Sequence, residues 1–355
     1  EYQATTPLAP EAREAMSNLL DGPDGTGFGN PHSPHRLGRQ AAAAIEVARE
    51  KVAALFPSGG KVIFTGGATE ALSLAIRGTS GEGSVAFSAI EHSAVGDTAK
   101  AAGAHEVLGV THEGLCDPEQ NLPTDAVRLI AVMQVNNEIG TRQPVEEWTA
   151  RAKAMGALML IDGVQAYGKM PVVGADMIAI SGHKFHGPKG IGALWVRDGV
   201  ELIEQQTGGG QEHGLRSGTL SPALIAGMGA AAALAVQRME EDEAHTEALW
   251  SRARELFDGW TLNGSETKRY RGNLNIRKDG LDVARLMSDA RHIMFSAGSA
   301  CASGSGRPSH VLSAIGLSEA EAKSSIRLGV GRYTRLEELE DAAQSINNAV
   351  HQQAL

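Results

Sequence analysis

The stretch Met177-Ile178-Ala179-Ile180-Ser181-Gly182-His183-Lys184 places a lysine directly after a short apolar run, and a second apolar run, 191–196, follows it. Each run has the length of a buried strand, so Lys184 is predicted to lie just past a strand end. Burial lowers the pKa of an amine, so such a lysine is partly neutral and can bond to a carbonyl carbon. The adjacent Ser181 and His183 can hold a phosphate. The alternative is an ordinary solvated lysine.

Helical patterns alternate with short apolar runs from about residue 40 to 200, which is typical of a mostly parallel sheet covered on both faces. Ile45, Ala48, Val52 and Leu55 form the buried stripe of the first long helix. Ligands of such sheets bind beyond the carboxyl ends of the strands. The predicted strands cover residues 61–64, 84–88, 105–110, 129–133, 157–161, 177–180 and 191–196.

A carboxylate, Asp162, follows the predicted strand 157–161. Pyridoxal phosphate (PLP) needs a carboxylate against its pyridine nitrogen, because only the protonated ring is a strong electron sink. Asp162 can supply that charge, and Gln165 can reach the phenolic oxygen of the ring. The alternative is an aspartate that caps the following turn.

The segment Thr65-Gly66-Gly67-Ala68-Thr69-Glu70 follows the strand Val62-Ile63-Phe64 and opens a helical pattern, 71–78. Unpaired N–H groups and the helix dipole at such a start bind a phosphate without any Lys or Arg. Gly-rich turns also occur without ligands, so this segment supports a phosphate site only in combination with the lysine and the aspartate.

Taken together, these segments resemble the cysteine desulfurases, members of the class V aminotransferase group within the fold type I PLP enzymes. The resemblance covers nearly the whole chain. It implies an α/β fold with a large domain, whose mostly parallel sheet is flanked by helices, and a smaller C-terminal α+β domain. The matching motifs, in chain order, are Ala4-Thr5-Thr6-Pro7, Gly29-Asn30-Pro31 with His35, Gly67-Ala68-Thr69-Glu70, Glu91-His92, Asn136-Asn137-Glu138-Ile139-Gly140, Asp162-Gly163-Val164-Gln165, Ser181-Gly182-His183-Lys184, Gly208 to Gly210, Arg216-Ser217-Gly218-Thr219-Leu220, Ser299-Ala300-Cys301 and Ser325-Ile326-Arg327.

The resemblance implies that Lys184 binds PLP covalently and moves the Cα proton of the substrate. It implies that His92 stacks on the ring and shuttles protons, although a lone histidine in a turn is more often only a satisfied polar residue. Arg327 matches the arginine that grips the substrate carboxylate, with Arg332 as a lower-ranked competitor. Asn136 matches a side chain that touches cofactor or substrate. The implied cofactor-binding set is Ala68, Thr69, His92, Asn136, Asp162, Gln165, Ser181, His183, Lys184 and Thr219.

In this family, the threonine of the Arg-Ser-Gly-Thr motif reaches the phosphate in the neighbouring subunit. The matching residue here is Thr219. If this carries over, the active unit is a homodimer. The alternative is a threonine that only stabilises its own turn.

Cys301 lies in a run of small residues, 296–306, which predicts a mobile loop. A structural cysteine would sit among large apolar neighbours. Desulfuration needs a thiolate that attacks the sulfur of the PLP-bound cysteine, keeps it as a persulfide and carries it to an acceptor. The third catalytic residue is therefore predicted to be Cys301, beside Lys184 and His92, whereas Cys116 is predicted to be incidental.

A long helical tract from Pro222 to about Phe257 is predicted to connect two domains. The large PLP-binding domain covers 13–257, and the small domain, which carries the cysteine loop, covers 258–355 together with 1–12, since the family folds its N-terminal dozen residues there. A strand at 273–276 and helices near 282–290, 308–315 and 335–350 are predicted for the small domain.

The bulk composition limits the partners. A chain of 355 residues with 42% hydrophobic residues can bury two cores. A formal charge of −10 without a long basic block argues against nucleic acid and anionic membranes as partners. No run approaches the roughly 18 apolar residues of a membrane span.

Only two cysteines occur, which fits a reducing compartment such as the cytoplasm. No metal site is predicted.

Some positions depart from the family pattern. Gln3 stands where asparagine is usual, Glu1 is close to a frequent aspartate, and His213 replaces a common arginine. The run Gly304-Ser305-Gly306-Arg307 replaces a more usual pattern after Cys301, which concerns the length and partner preference of the loop.

The sequence therefore predicts a PLP-dependent L-cysteine desulfurase that yields L-alanine and a persulfide on Cys301. Its partners would be L-cysteine, a second copy of the chain, and a sulfur acceptor or iron–sulfur scaffold protein, with sulfur destined for iron–sulfur clusters or other thiolated products. The alternatives are a selenocysteine lyase or another class V PLP enzyme, and a non-catalytic assembly scaffold. An aminotransferase has no use for a mobile thiol, and a scaffold would tolerate the loss of Lys184 and Asp162.

Overall fold

A computed structural model describes residues 1–23, 25–122, 126–298 and 309–353. The helices within these ranges are α1 (Pro10–Ser17), α2 (Arg36–Ala53), α3 (Ala68–Gly78), α4 (Ser93–Ala102), α5 (Val145–Met155), α6 (Pro222–Leu256), α7 (Val283–Asp289), α8 (His310–Ala314), α9 (Glu319–Lys323) and α10 (Leu336–His351). The strands are β1 (Gly60–Thr65), β2 (Ser84–Ser88), β3 (His105–Leu108), β4 (Val127–Ala131), β5 (Leu158–Asp162), β6 (Met177–Ser181), β7 (Gly192–Arg197), β8 (Thr261–Leu262), β9 (Asn273–Arg277), β10 (Ser296–Ala297) and β11 (Ser325–Gly329).

The first seven strands form one sheet in the order β1-β7-β6-β5-β4-β2-β3. Strand β7 runs antiparallel to both of its neighbours, and the remaining pairs are parallel. All five residues of β2 and of β6 are buried, as expected for strands covered on both faces. Each of the seven strands coincides with a predicted one, and the predicted mostly parallel sheet is confirmed.

Two hydrophobic cores cover the two faces of this sheet. Phe64 on β1 belongs to the core that includes Ile45 and Val52 of α2, whereas its neighbour Ile63 belongs to the core that includes Leu72 of α3. Successive side chains of a strand point to opposite faces, so this alternation is what a two-sided sheet requires. Packing on both faces thereby stabilises the sheet, and the polar residues lie in the loops at its edges.

The second sheet is antiparallel, in the order β10-β11-β9-β8. Its core contains Phe257, Trp260, Leu274 and Ile326, together with residues of α10. The predicted strand at 273–276 and the three predicted helices are present as β9, α7, α8 and α10. Strand β11 was not predicted as a strand, although its motif was recognised. The domain boundary at 257/258 stays a prediction.

The N-terminal segment crosses from one sheet to the other. The backbone N–H of Tyr2 donates to the carbonyl oxygen of Gly329 at 3.2 Å, and that of Thr6 donates to His183 at 2.9 Å. Ala12 lies fully buried in a core of the large sheet. Residues 1–12 were predicted to fold with the small domain, and this assignment stays a prediction: the segment contacts both sheets, and α1 packs against α6.

Helix α6 is long and apolar enough to span a membrane by length and composition alone. In this structure, its N-terminal half packs against α1 and α2. At Gly229 an added Cβ would lie 2.7 Å from the Cβ of Ala48, so the two helices approach closely there. A buried core helix passes the same compositional test.

Candidate active site

A cavity of about 930 Å³ lies at the carboxyl ends of the central strands of the large sheet. The turn after β2 contributes His92, the end of β5 contributes Asp162, and the turn after β6 contributes Lys184. Strand β11 of the second sheet contributes Arg327 from the opposite side. Of the predicted site residues, those that line the cavity are Ala68, Thr69, His92, Asp162, Gln165, Ser181, His183, Lys184 and Arg327.

Lys184 ends a short 3₁₀ turn, Gly182–Lys184, that directly follows β6. Its Nζ donates to the carbonyl oxygen of Gln3 at 2.6 Å and to that of Ala4 at 2.9 Å. Thus the N-terminal segment contacts the amine at the cavity wall. A carbonyl compound that enters the cavity meets Lys184 Nζ in a half-buried position.

Asp162 is buried at the end of β5, with 6% of its surface exposed. Burial raises the pKa of its carboxyl group, while a hydrogen bond from the Val164 N–H and the nearby His92 and Lys184 act in the opposite direction. A buried carboxylate gains most from a cationic partner inside the cavity. A protonated pyridine nitrogen is such a partner.

The start of α3 forms a second part of the cavity wall. Its N-cap is Gly67, which has no side chain to cap the first N–H groups of the helix. An added Cβ at Gly67 would meet no protein atom within 4 Å, and one at Gly192 of β7 would lie 2.7 Å from the Gly67 backbone. The loop therefore lies against β7 and leaves open space beside the donors of Ala68 and Thr69, as a phosphate group requires.

His183 and Ser181 complete the polar wall near this helix start. The Nδ1 of His183 lies 3.1 Å from Thr5 Oγ1. Burial, together with the charges of Lys184 and Lys189, lowers the pKa of His183 to about 4. His183 is therefore neutral near pH 7 and contacts an anion as a hydrogen-bond donor rather than as a charge.

His92 is the N-cap of α4, and its Nδ1 accepts a hydrogen bond from the Ala94 N–H at 3.1 Å. This contact assigns the proton of the neutral ring to Nε2. The ring lines the cavity together with Asp162 and Lys184. Proton exchange by His92 would therefore take place at Nε2.

Two arginines were ranked as carboxylate ligands, and they lie in different places. Arg327 lines the main cavity with its side chain 1% exposed, and its Nη1 donates to the carbonyl oxygen of Asn137 at 2.8 Å. Arg332 instead pairs with Asp242 of α6 at 2.7 Å and lines a separate small cavity. The ranking of Arg327 above Arg332 thus agrees with the geometry.

Asn136 does not line the cavity, in contrast to the prediction. Its side chain is fully buried, where Nδ2 donates to the Ile90 carbonyl at 2.8 Å and Oδ1 accepts from the N–H groups of Glu138 and Ile139. These bonds stabilise a turn whose Glu138 carbonyl accepts hydrogen bonds from Asn273 and Asn275 of β9 in the second sheet. The neighbouring Asn137 lines the cavity instead.

Thr219 and Cys301 remain of the predicted site residues. Thr219 is exposed on this chain and does not line the cavity. Cys301 and the run Gly304–Arg307 lie outside the described residues. The other cysteine, Cys116, is fully buried, and burial raises the pKa of its thiol to about 12. Cys116 is therefore unreactive near neutral pH.

Two titratable groups beside the cavity, Glu91 and Lys169, were not predicted from the sequence. Glu91 is the residue before His92; its Oε1 accepts from the Met133 N–H at 2.7 Å, and its Oε2 has no hydrogen-bond partner among the described residues. Lys169 lies in the turn after β5 and donates to Gln165. The Glu91-His92 motif was a signal for the former, whereas no local pattern marked the latter.

The model of the class-V aminotransferase family matches residues 1–341, so the chain belongs to the class-V aminotransferase family. Among curated relatives, the cysteine desulfurase IscS of Rickettsia bellii is 38% identical over 374 residues, which cover 99% of this chain and 90% of the relative. The cysteine desulfurase IscS of Rickettsia akari is 39% identical and covers 98% of this chain and 89% of the relative.

Solved structures agree with the fold. A NifS-like protein from Rickettsia africae superimposes with a TM-score of 0.88 at 28% identity, covering 98% of both chains. A structure described as SspA in complex with cysteine gives a TM-score of 0.80 at 33% identity, covering 94% of this chain and 99% of the other. The predicted fold type I architecture is thereby confirmed.

Pyridoxal phosphate is the cofactor of this family, and the cavity fits it. The buried carboxylate of Asp162 suits the ring nitrogen, the open start of α3 suits the phosphate, and the amine of Lys184 suits the carbonyl carbon. These three groups line one cavity, which is the arrangement that the cofactor requires.

Proposed function

We propose that this chain is a PLP-dependent L-cysteine desulfurase, which converts L-cysteine to L-alanine and retains the sulfur on the thiol of Cys301. The observation that supports this most strongly is the convergence of Lys184, Asp162 and Arg327 on one cavity. The family match over residues 1–341 and the desulfurase relatives support it independently. A non-catalytic scaffold would have no need for these buried charges.

When bound, the cofactor supplies an electron sink. Asp162 keeps the ring nitrogen protonated by its charge, because a buried carboxylate and a cation stabilise each other. The phosphate is held by the N–H groups of Ala68 and Thr69 and by His183, which is neutral near pH 7. These residues would hold the cofactor in the cavity that Lys184 lines.

The substrate is oriented by Arg327 and changed by Lys184. The guanidinium fork of Arg327 binds the carboxylate of cysteine, which places the substrate Cα near Lys184 Nζ. With the cofactor bound, Lys184 would be the group that takes the Cα proton of the substrate, at Nζ. His92 provides a second proton donor at Nε2.

Sulfur transfer requires a soft nucleophile, which none of the described residues that line the cavity provides. The thiolate of Cys301 attacks the substrate sulfur, so an S–S bond forms and the C–S bond breaks. The electron pair of the C–S bond stays with the substrate carbon, which takes a proton and becomes the methyl group of alanine. The products are alanine and a persulfide on Cys301, and no external oxidant or reductant is consumed in this step. Support for Cys301 comes from the sequence alone.

The remaining assignments concern the setting of the reaction. The exposed position of Thr219, away from the cavity of its own chain, supports a homodimer in which this residue reaches the partner's phosphate site. The sulfur acceptor is a protein thiol or an iron–sulfur scaffold protein, and the location is the cytoplasm. The two Rickettsia relatives that are named cysteine desulfurase IscS support a role in iron–sulfur assembly.

The test is the reaction itself. Purified PLP-loaded protein is incubated with L-cysteine and a thiol reductant, and alanine and sulfide are quantified. Equimolar alanine and sulfide are expected, and Lys184→Ala should give neither. Alanine from L-selenocysteine but none from L-cysteine would replace the proposal with a selenocysteine lyase. Transfer of the amino group to a 2-oxo acid would replace it with an aminotransferase.

A further inference from the structure

The side chain of Lys169 is partly buried, and the described residues provide no acidic partner for its amine. It lies in the turn after β5, and its Nζ donates to Gln165 Oε1 at 2.9 Å. Its Nζ also lies 5.2 Å from the ring centroid of Tyr270. Within the described ranges, no carboxylate lies within 4 Å of this nitrogen. Burying a charged group without an opposite charge costs free energy. Packing alone therefore does not explain why a lysine occupies this position.

The hydrogen bond from Lys169 fixes the orientation of the Gln165 amide. A lysine has only donors, so the oxygen of the amide must face Lys169, and its nitrogen must face away. In this structure, Gln165 Nε2 donates to the carbonyl oxygen of Gln3 at 3.1 Å. Gln165 therefore presents a donor, and not an acceptor, on the side of the cavity.

The same carbonyl oxygen links Gln165 to the cofactor-binding lysine. Lys184 Nζ donates to Gln3 O at 2.6 Å. A continuous path of hydrogen bonds thus runs from Lys169 through Gln165 to the acceptor that Lys184 uses. Gln165 lines the cavity, so its amide N–H is available to the phenolic oxygen of a bound cofactor.

We propose that Lys169 is a positioning residue, which holds the amide of Gln165 with its N–H toward the cofactor and adds a positive charge to the field at Lys184. This inference rests on the PLP site of the proposed function but not on the identity of the substrate. Lys169 itself touches neither substrate nor cofactor. It acts through the orientation of Gln165 and through its own charge.

The charge of Lys169 depends on pH within the working range. Burial, together with the charge of Lys184, lowers its pKa to about 7. The coupling is mutual, so a protonated Lys169 disfavours protonation at Lys184 and loses that effect as pH rises above its own pKa. The titratable and charged groups that surround Lys169 are His183, Lys184, His186, Asp242, Glu243, Tyr270 and Arg332.

The test uses the visible absorbance of the PLP-loaded protein, because its bands report the protonation of the nitrogen that joins Lys184 to the cofactor. The band ratio is recorded between about pH 6 and pH 10 for wild type and Lys169→Met, a substitution that removes the charge and the donor at similar length. Near pH 6, the band ratio of Lys169→Met should differ from that of wild type by about threefold or more, in favour of the protonated form. Above about pH 8, the two proteins should have the same band ratio. Lys153→Met, at an exposed lysine of α5, should follow wild type throughout.

A double-mutant cycle with Gln165→Leu tests the route. The part of the Lys169→Met effect that depends on the orientation of Gln165 should be lost in the Gln165→Leu background, so the effect there should be smaller, whereas the effect of the charge should remain. Three results would each overturn the proposal. The first is an undiminished effect of Lys169→Met in the Gln165→Leu background, and the second is an identical band ratio in Lys169→Met and wild type. The third is a change in the band ratio that is the same at every pH. If Lys169→Met does not yield folded protein, Lys169→Gln serves the same comparison, because it removes the charge and keeps a donor.

The outcome is independent of the desulfurase assignment. The absorbance is measured without cysteine, so a protein that binds PLP but releases no alanine would refute the proposed reaction and leave this comparison intact. Conversely, normal alanine release with an unchanged band ratio in Lys169→Met would refute only the role of Lys169.

Discussion

The guanidinium group of Arg327 and the carboxylate of Glu1 form a buried ion pair, with Arg327 Nε 3.2 Å from Glu1 Oε2. Together with the bond from Nη1 to the Asn137 carbonyl, this contact fixes the plane of the guanidinium group in the cavity wall. The pair also joins the first residue of the segment that reaches Lys184 to strand β11. The carboxylate site and the covalent site are thereby connected through one stretch of chain, residues 1–4.

Arg327→Lys should raise the cysteine concentration for half-maximal rate by roughly 10-fold or more, because an ammonium group cannot reproduce the planar fork toward both Glu1 and a substrate carboxylate. Covalent binding of PLP should be unaffected. Steady-state kinetics with cysteine and the absorbance of the bound cofactor measure the two effects. Arg332→Lys is the matched control, since Arg332 lies in the other cavity. A phenotype in the control and none in Arg327→Lys would exchange their roles.

Lys184→Ala should abolish covalent attachment of PLP while the phosphate site still retains it weakly. Borohydride reduction followed by peptide mass spectrometry measures this, with label expected only on the wild-type peptide that contains Lys184. Two other lysines line or adjoin the cavity, Lys189 and Lys169. Lys189→Ala should label as wild type does, and label on any lysine of the Lys184→Ala protein would refute the assignment.

Asp162→Asn should keep PLP bound but reduce kcat by roughly 10² or more, by analogy with other preorganised electrostatic groups. The cofactor ring nitrogen loses its charged partner, whereas the amide is close to the carboxylate in shape. Alanine release and cofactor content, measured on the same sample, separate these effects. Turnover near that of wild type would contradict the proposed orientation of the ring.

The large sheet was predictable because its signal is local. Seven apolar runs of strand length, each followed by a polar turn, specified both the strands and the edge at which Asp162 and Lys184 meet. Strand β11 was harder to predict, since the buried Ser325 and Arg327 interrupt its apolar pattern. The polar Arg327 of this strand lines the cavity and is not part of the hydrophobic core.

The failures of the sequence analysis concern contacts between distant residues. Asn136 and Asn137 are adjacent and chemically identical, and only the turn geometry decides which of them faces the cavity. Lys169 follows Tyr167-Gly168, which reads as an ordinary exposed turn. Its burial depends on Tyr270, about a hundred positions away, and no local pattern contains that information.

Glu91→Gln should make the protein more stable relative to wild type as pH rises. Burial and the charge of Asp162 raise the pKa of Glu91 well above its ordinary value, so the folded chain holds this proton more tightly than the unfolded chain. The stabilising contribution of the proton is full below the unfolded pKa of about 4.3 and is lost as pH rises toward the folded value. Glutamine keeps the acceptor for Met133 N–H and does not titrate.

The free energy of unfolding, measured by urea denaturation of PLP-free protein from about pH 5 to pH 8, checks this. The free energy of unfolding of Glu91→Gln relative to wild type should increase by about 1.4 kcal/mol for each pH unit between the unfolded and the folded pKa of Glu91. Glu201→Gln, at an exposed glutamate, is the control and should show no such trend. A difference independent of pH would mean that Glu91 is ionised in the folded protein.

Cys301→Ser should retain the visible absorbance of bound PLP and still respond spectrally to cysteine, yet release almost no alanine. Lys184, His92 and the cofactor are intact in this variant, whereas cleavage of the C–S bond needs a soft nucleophile, and a serine hydroxyl is essentially un-ionised near neutral pH. Cys116→Ser is the matched control. It should be nearly silent, because the Cys116 thiol is buried and its pKa is raised to about 12.

The position of the transferred sulfur decides the mechanism. After brief exposure of the wild-type protein to cysteine, peptide mass spectrometry should find one additional sulfur atom on the peptide that contains Cys301 and none on the peptide that contains Cys116. A thiol reductant should remove this sulfur and release sulfide in equal amount. Full alanine release by Cys301→Ser, or the additional sulfur on Cys116, would exclude the proposed thiolate attack and favour a lyase that needs no protein thiol.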